Sequence, residues 1–320
     1  MTHLILVDGN NLGFSAMTGG PRLAAGDKLT QGTFTFIKSI RNIYLDNPKA
    51  LIMVLWDGRS WRKDIDDNYK AMREATEEQQ EIREAYFKQK KDMMDALTYL
   101  GVPQCIASNM EADDLAEIYS RKWKGDKVTL WSGDKDWLQL VNERTDWYDP
   151  ILNRHCNSHN FESFTGYKTP EQFIQAKCLI GDKDEVPGFK GIGKATVEKF
   201  FDTWDCFYQF ISECGDGTDI VEKWSSNNYS KIPNPIYNLT LNPTSSEEEF
   251  QKNRTLADLT AIDRPEPIGL KRVQSEIDEE AFKGLCYANA FLSFLKDYDR
   301  FLQPFKQNRF TKVVDNNTLV

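Results

Sequence analysis

LIMVLW, at residues 51–56, is an uninterrupted apolar run that is followed by Asp57. Such a run is typical of a strand whose two faces are both covered by helices, as in a parallel sheet. LILV at 4–7 and KVTLW at 127–131 have a similar form, and helical patterns separate the three runs. The chain is therefore expected to adopt an α/β fold with a mostly parallel sheet and helices on both faces.

The composition of the chain excludes membrane-spanning, secreted and disulfide-stapled proteins. Of the 320 residues, 40% are hydrophobic and 28% are charged, and no apolar run approaches the roughly 20 residues of a membrane span. The N-terminus, MTHLILVD, lacks the basic flank and long apolar stretch of a secretory signal. The six cysteines form no C-x-x-C pair, which favours reduced thiols. We expect a globular cytoplasmic protein.

The net charge of −9 argues at first against a nucleic-acid partner. The charge is unevenly distributed, however. Residues 241–280 hold ten acidic and five basic residues, so this stretch alone contributes −5. Global charge therefore does not exclude binding to nucleic acid.

After Thr169 the chain shows helical patterns only. Thr169 and Pro170 form a typical helix start, with a capping threonine before a proline. Residues 225–246 are rich in Asn, Pro and Ser and predict a linker or long loop, and Phe282 and Leu292 belong to the predicted packing face of a helical tail. The expected parts are an α/β core at 1–165, a helical region at 166–224, the linker at 225–246 and a helical C-terminal region at 247–320.

Three aspartates follow the predicted strands directly or within a few residues: Asp8, Asp57 and Asp134. In an open parallel sheet, ligands bind beyond the carboxyl ends of the strands, where these side chains would gather. A single aspartate at such a position is usually a turn former or a helix cap. Their recurrence instead favours a shared site.

Further acidic residues lie at 111–114, 134–136 and 182–185. A helix start explains an isolated acid, but so many carboxylates at one sheet edge repel one another unless a cation lies among them. Oxygen ligands without nearby His or Cys favour Mg²⁺, with Mn²⁺ as a substitute. The candidate metal residues are Asp8, Asp57, Glu111, Asp113, Asp114, Asp134, Asp136, Asp182 and Asp184. Two such ions are the usual device for in-line displacement at phosphorus.

A basic pair lies in the stretch NYKAMR at 68–73. Lys70 and Arg73 are three residues apart, a spacing that places both on one face of a helix. Alone, the pair indicates a solvated basic face. Beside an acidic metal site it suits a phosphate that needs charge stabilisation.

The stretch PGFKGIGK at 187–194 predicts a hairpin between two helices. Gly191 and Gly193 let backbone N–H groups approach a nucleic-acid phosphate, and the following helix N-terminus favours an anion. A P-loop is excluded because Ala195 replaces the required Ser or Thr and no strand precedes the glycines. His155 and His159 lie in a polar loop without a fourth ligand, which indicates a solvated loop.

Together these stretches resemble the flap endonuclease and 5′→3′ exonuclease family, especially its bacteriophage members that remove RNA primers. The matching motifs are VDGN at 7–10, NYKxxR at 68–73, EADD at 111–114, SGDKD at 132–136 and the segment 181–194. They occur in family order and cover about residues 3–214.

The resemblance implies a PIN-like nuclease core with a helical arch at about 64–100, followed by a helix-hairpin-helix region. It implies one Mg²⁺ held by Glu111, Asp113 and Asp134, with Asp8 and Asp57 in its water shell. A second Mg²⁺ goes with Asp136 and Asp182, and Asp114 supports the site. Lys70 and Arg73 match the cations that contact the scissile phosphate. The implied DNA-binding residues are Tyr69, Lys190, Gly191, Gly193 and Lys194, with K⁺ as a further candidate ion at the hairpin.

One loop departs from the family pattern. The family usually has two aspartates three apart in G-D-x-x-D-N-[IV]-P-G, whereas GDKDEVPG at 181–188 is one residue shorter. Either Asp184 replaces the second aspartate after a deletion, or Glu185 does so by spacing. Asp184 is preferred because DEVPG then matches DNIPG.

The expected function is a Mg²⁺-dependent 5′-nuclease that acts on 5′ ends or flaps of DNA and RNA/DNA duplexes. The alternatives are a PIN-type ribonuclease without flap specificity and a catalytically silent DNA-binding module. The acidic C-terminal region is either a docking platform for a replication protein or a solvated face. We expect a monomer in the cytoplasm, that of the bacterial host if a phage encodes the chain.

Overall fold

A computed structural model describes residues 2–19, 22–70, 76–182, 185–229, 231–261 and 263–308. The chain divides into two compact units. The first comprises Met1–Ser60, Ala75–Ser158 and Pro265–Val320, and the second comprises Trp61–Glu74 and His159–Arg264. Within the described residues, none of the helices has the length and apolar character that a membrane crossing requires.

The first unit is built around a seven-stranded sheet with the order β8-β7-β6-β1-β4-β5-β9. Five central strands are parallel, and the edge strands β8 and β9 are antiparallel to their neighbours. A separate ribbon pairs β2 with β3. The strands are β1 (His3–Asp8), β2 (Ala24–Ala25), β3 (Lys28–Leu29), β4 (Ala50–Trp56), β5 (Gln104–Ile106), β6 (Lys127–Trp131), β7 (Thr145–Asp149), β8 (Arg154–Cys156) and β9 (Lys271–Val273).

Helices follow most strands of the first unit and make up the second. They are α1 (Gly9–Thr18), α2 (Gln31–Asp46), α3 (Glu77–Tyr99), α4 (Ala112–Lys122), α5 (Phe161–Thr165), α6 (Pro170–Ile180), α7 (Lys194–Thr203), α8 (Phe207–Asp216), α9 (Ile220–Ser226), α10 (Asn234–Leu241), α11 (Pro243–Ala257), α12 (Glu279–Ala288), α13 (Leu292–Lys296) and α14 (Tyr298–Gln307). Short 3₁₀ helices span Trp61–Asp64 and Lys135–Leu140.

The prediction of a mostly parallel sheet with helices on both faces is confirmed. Every residue of β4 is buried, as its continuous apolar run requires. Alternate side chains such as Val7 and Val54 share one core cluster with α1, α2, α3 and the C-terminal helices. Helix α4 instead contacts β1, β4 and β5 from outside that cluster, and so covers the opposite face.

The second unit has its own core, in which aromatic rings pack between helices. The ring of Phe207 stacks on Phe250, with 4.0 Å between centroids, and Trp204 packs against Phe210. Helix α6 begins as predicted, because the Thr169 hydroxyl accepts a hydrogen bond from the Gln172 N–H and Pro170 follows it.

The prediction of a linker at 225–246 is wrong. This stretch holds α10 and the start of α11, and Ile236 is fully buried in the core of the second unit. The Asn-Pro pairs misled the prediction because they mark helix starts here, and the Asn242 side chain caps α11. In the C-terminal region Phe282 is buried as predicted, whereas Leu292 is 64% exposed.

Candidate metal centre and phosphate-binding residues

The carboxyl ends of three adjacent strands bring Asp8, Asp57 and Asp134 to one edge of the first unit. Strand β1 pairs in parallel with both β4 and β6, so their ends are level. Asp8 is the last residue of β1, Asp57 follows β4, and Asp134 lies three residues beyond β6. The chain turns at once after Asp8 because Gly9 has no side chain. A Cβ there would lie 2.7 Å from the ring of Trp56.

Asp8 is buried, at 6% exposure, and both its carboxylate oxygens accept hydrogen bonds. Oδ1 accepts from the Asn11 N–H at 2.9 Å, and Oδ2 accepts from the Ser132 hydroxyl at 2.8 Å. Burial, followed by repulsion from Asp57 and Asp134, raises the pKa of Asp8 to about 7. Asp57 and Asp134 are therefore close enough to oppose the ionisation of Asp8.

Asp57 is held by the start of α4 and by a side-chain relay. Its Oδ1 accepts from the Ala112 N–H at 2.8 Å, and its Oδ2 accepts from the Asn10 amide. The Tyr86 hydroxyl in turn donates to Asn10 Oδ1 at 2.6 Å. Sequence reasoning did not identify these two supporting residues. Asn10 lies in the VDGN motif, but nothing in the sequence around Tyr86 indicates its role.

The EADD motif forms the first turn of α4, as predicted. Glu111 is the capping residue, and its N–H donates to Asp114 Oδ2 at 3.1 Å in a capping box. Asp114 is fully buried, whereas Asp113 is partly exposed and its Oδ1 accepts from the Trp137 indole at 2.6 Å. Asp114 therefore supports the helix start, and Asp113 faces the element that follows Asp134.

Asp134 and Asp136 lie at the start of the 3₁₀ helix that follows β6. Asp134 caps this helix, because its Oδ1 accepts from the Asp136 N–H at 2.8 Å. The Ser132 hydroxyl accepts from the Asp134 N–H at 3.0 Å while it donates to Asp8. The Ser132 hydroxyl thus links the Asp8 carboxylate to the backbone of Asp134.

The chemistry of this site fits a divalent ion, although its side chains are not yet arranged as ligands. The donors are carboxylate oxygens, which suit Mg²⁺ or Mn²⁺. Burial raises the pKa of Asp8, repulsion from Asp57 and Asp134 adds to that shift, and a cation would relieve this repulsion. Among the described residues, no group of three or more His, Cys, Asp or Glu is positioned to hold an ion.

Lys90 is a further charged group beside this site that sequence reasoning missed. Its ammonium lies 5.3 Å from the centroid of the Trp56 ring. Burial lowers its pKa, and the nearby charges of Asp57 and Asp8 partly oppose that shift. Lys90 therefore offsets part of the negative charge of the site.

Asp182 belongs to the second unit, where it closes the loop after α6. Its Oδ1 accepts from the N–H groups of Glu185 and Val186 at 2.6 and 3.1 Å, and its Oδ2 lies 3.1 Å from the Lys177 ammonium. Asp184 lies outside the described residues. The assignment of Asp182 and Asp184 to a second ion stays a prediction.

Lys70 is also in the second unit, and the prediction that it lies on a helix face is wrong. It ends a turn and has a φ of 59°, in the left-handed region. Arg73 lies outside the described residues. Tyr69 is 4% exposed and packs in the core of the second unit, and its predicted role in DNA binding stays a prediction. Its ring lies under Lys70, with the ammonium 5.0 Å from the centroid.

The predicted hairpin lies between α6 and α7. Gly191 has a φ of 85°, and a Cβ there would approach Pro235 to 3.0 Å, so the turn requires glycine. Gly193 is the N-cap residue of α7, and apart from its chain neighbours no other atom lies within 4 Å of the position that a Cβ would take there. Lys190, Gly191, Gly193 and Lys194 are all exposed. Their role in DNA binding stays a prediction.

With this geometry in place, comparison with known proteins identifies the class. Residues 3–173 match the family described as 5′-3′ exonuclease, N-terminal resolvase-like domain. Because the match covers more than half of the chain, the chain belongs to this family.

Curated relatives are similar over most of this chain. The DNA polymerase I of Rhizobium leguminosarum is 28% identical over 69% of this chain, which spans only 22% of that polymerase. The 5′-3′ exonuclease of Mycoplasma genitalium is 31% identical over 60% of this chain and 69% of its own length. The flap endonuclease of Escherichia phage T5 is 28% identical over 80% of this chain and 83% of its own length.

Solved structures share the fold. The T5 D15 protein co-crystallised with metal ions has a TM-score of 0.65 at 23% identity, covering 90% of this chain and 99% of that one. The catalytic core of Rad2 in complex with a DNA substrate has a TM-score of 0.58 at 14% identity, covering 95% and 92%.

Proposed function

We propose that this chain is a metal-dependent 5′-nuclease that hydrolyses phosphodiesters at 5′ ends or flaps of duplexes, RNA primers included. The observation that carries the proposal is the gathering of Asp8, Asp57 and Asp134 at the ends of three adjacent parallel strands. Burial, together with repulsion from Asp57 and Asp134, raises the pKa of Asp8 there, in a chain of the 5′-3′ exonuclease family. Relatives named 5′-3′ exonuclease and flap endonuclease support the same reaction class.

In this proposal two Mg²⁺ ions, replaceable by Mn²⁺, would activate a water for attack and stabilise charge on the leaving oxygen. Glu111, Asp113 and Asp134 would hold one ion, with Asp8 and Asp57 in its water shell. Asp136 and Asp182 would hold the other with Asp184, and Asp114 supports the helix that carries Glu111. The Asp8 carboxylate must lose its proton before it can hold water toward a cation, since its pKa is about 7.

The basic residues would act on the phosphate. Lys70 and Arg73 would stabilise the charge that develops on the scissile phosphate. Lys190 and Lys194, with the N–H groups around Gly191 and Gly193, would hold the backbone of a duplex. This exposed hairpin favours a duplex substrate over the ribonuclease alternative, which needs only the first unit.

The proposal has several finer parts. We infer that the protein acts as a monomer in the cytoplasm, in the bacterial host if a phage encodes it. The ion at the hairpin would be K⁺, and the C-terminal region would dock a replication protein. The metal-bound and DNA-bound structures of similar folds support the ion and the nucleic acid only in general terms.

End-labelled flap, nicked and RNA/DNA hybrid substrates test the function directly. We expect cleavage in Mg²⁺ or Mn²⁺ and none in EDTA, because carboxylates alone cannot polarise a phosphate. Full activity in chelator would contradict the metal-dependent mechanism. Cleavage of single-stranded RNA alone would favour the ribonuclease, and binding without cleavage would favour the silent module.

A further inference from the structure

Four charged side chains of the second unit form a compact cluster, which we call the lysine–carboxylate cluster: Lys70, Lys177, Asp182 and Glu185. The Glu185 carboxylate lies between the two lysines. Its Oε1 is 3.1 Å from the Lys70 ammonium, and its Oε2 is 3.3 Å from the Lys177 ammonium. The Glu185 side chain is only 13% exposed, so these ion pairs are partly shielded from water.

The backbone of the loop fixes the direction of Glu185. Asp182 accepts hydrogen bonds from the N–H groups of Glu185 and Val186, which closes the turn. Lys177, on α6, contacts both Asp182 and Glu185. The Glu185 backbone and carboxylate are therefore both held, the first by Asp182 and the second by Lys177.

Lys70 gains a defined position from this contact. It sits at the end of a turn in the left-handed region, above the buried ring of Tyr69. A lysine side chain is flexible and loses much rotamer freedom when it is ordered. If a fixed carboxylate already holds the ammonium, Lys70 loses less side-chain entropy when it binds the substrate phosphate.

We propose that Glu185 is a positioning residue that holds the Lys70 ammonium in place for the phosphate, a role that rests on the proposed nuclease function. An ammonium has three N–H donors, so Lys70 can keep its contact with Glu185 while another N–H binds a phosphate oxygen. This role differs from the earlier alternative for Glu185, in which it replaces the family's second aspartate at the metal. A carboxylate that two lysines already engage is poorly placed to ligate a cation as well.

The test is a double-mutant cycle on single-turnover cleavage at saturating DNA and Mg²⁺. Glu185→Gln keeps the shape but loses the charge, and we expect a rate about tenfold lower. DNA affinity in EDTA should stay unchanged or become tighter, because a carboxylate has been removed from a phosphate-binding region. Lys70→Met should be slower still, and the double variant should be no slower than Lys70→Met alone.

Glu213→Gln provides the matched control. Glu213 is in the same unit, its side chain is 17% exposed, and its Oε1 lies 2.6 Å from the Lys223 ammonium. This variant should cleave within about twofold of the wild type. Thermal unfolding of all variants, followed by circular dichroism, verifies that a slower rate does not reflect unfolded protein.

Each other outcome overturns the inference. A Glu185→Gln rate equal to the wild-type rate would show that Lys70 needs no positioning. Recovery of that rate at raised Mg²⁺ would make Glu185 a metal ligand, and additive losses in the double variant would show that Glu185 acts independently of Lys70. If the wild type itself fails to cleave any substrate, the proposed function fails and the inference fails with it.

Discussion

The substitution Asp134→Asn separates the proposed metal-binding role of this carboxylate from its structural role. Asp134 caps the 3₁₀ helix by accepting a hydrogen bond from the Asp136 N–H, and an asparagine carbonyl oxygen can accept the same bond. The free energy of unfolding should therefore change by no more than about 0.5 kcal/mol. Loss of the negative charge also relieves repulsion on Asp8, so the pKa of Asp8 should fall.

The effect on cleavage should be far larger. Because an amide oxygen is a much weaker ligand for Mg²⁺ than a carboxylate, the single-turnover rate of Asp134→Asn should fall more than about 100-fold, which corresponds to about 2.7 kcal/mol. DNA binding should remain near that of the wild type, or become tighter as repulsion of phosphate decreases.

Asp134→Ala is the paired variant that tests the structural part of the argument. It removes the cap as well as the charge, so it should lose cleavage equally but also about 1 kcal/mol of unfolding free energy. Rates are measured on an end-labelled flap, binding by fluorescence anisotropy, and unfolding in urea. Cleavage by Asp134→Asn above a tenth of the wild-type rate would show that Asp134 does not ligate the ion. Equal destabilisation of the two variants would refute the capping argument.

The metal-free protein should lose stability as pH rises from about 4 to about 7, because a carboxyl group with a raised pKa favours the folded state only while protonated. Melting in EDTA between pH 5 and pH 8 tests this, and Asp8→Asn should flatten the slope; an unchanged slope would refute the assignment to Asp8. Lys70→Ala and Arg73→Ala should each lower the single-turnover rate more than the affinity for duplex, since their contacts strengthen in the transition state. Equal losses in rate and affinity would make them general phosphate contacts. Asp184→Asn should lower activity at low Mg²⁺ and recover partly at high Mg²⁺, because one anionic ligand oxygen is lost. A Mg²⁺ titration that leaves this variant indistinguishable from the wild type would contradict the preferred register.

The sequence by itself determined the strands and the placement of the strand-end aspartates. An apolar run such as 51–56 reports burial on both faces, and parallel strands that are adjacent must end at the same edge. Helix starts were equally readable where the signal was local, as at Thr169 and in the capping box of Glu111. These features could be predicted because each depends on neighbours within a few residues.

Predictions from local sequence were wrong where tertiary packing determined the secondary structure. Asn-Pro pairs at 225–246 looked like a linker, yet burial of Ile236 draws that stretch into helices of the second unit. The three-residue spacing of Lys70 and Arg73 suggested a helix face, whereas Tyr69 is buried in the core and Lys70 lies in a turn. Tertiary burial outweighs local propensity in both cases because the apolar surface it removes from water is worth more than a turn preference.

Only the tertiary structure shows the contacts that support the charged side chains of the candidate site. Ser132 joins the Asp8 carboxylate to the backbone N–H of Asp134, and Tyr86 supports Asp57 through Asn10. Glu185 meets Lys70 from a distant part of the chain. Such pairs have no spacing rule, since the folded backbone alone sets the distance between their charges. That distance governs the Coulomb energy between the charges and their pKa values. The sequence therefore supplies the candidate metal ligands, and the fold sets how strongly these side chains interact.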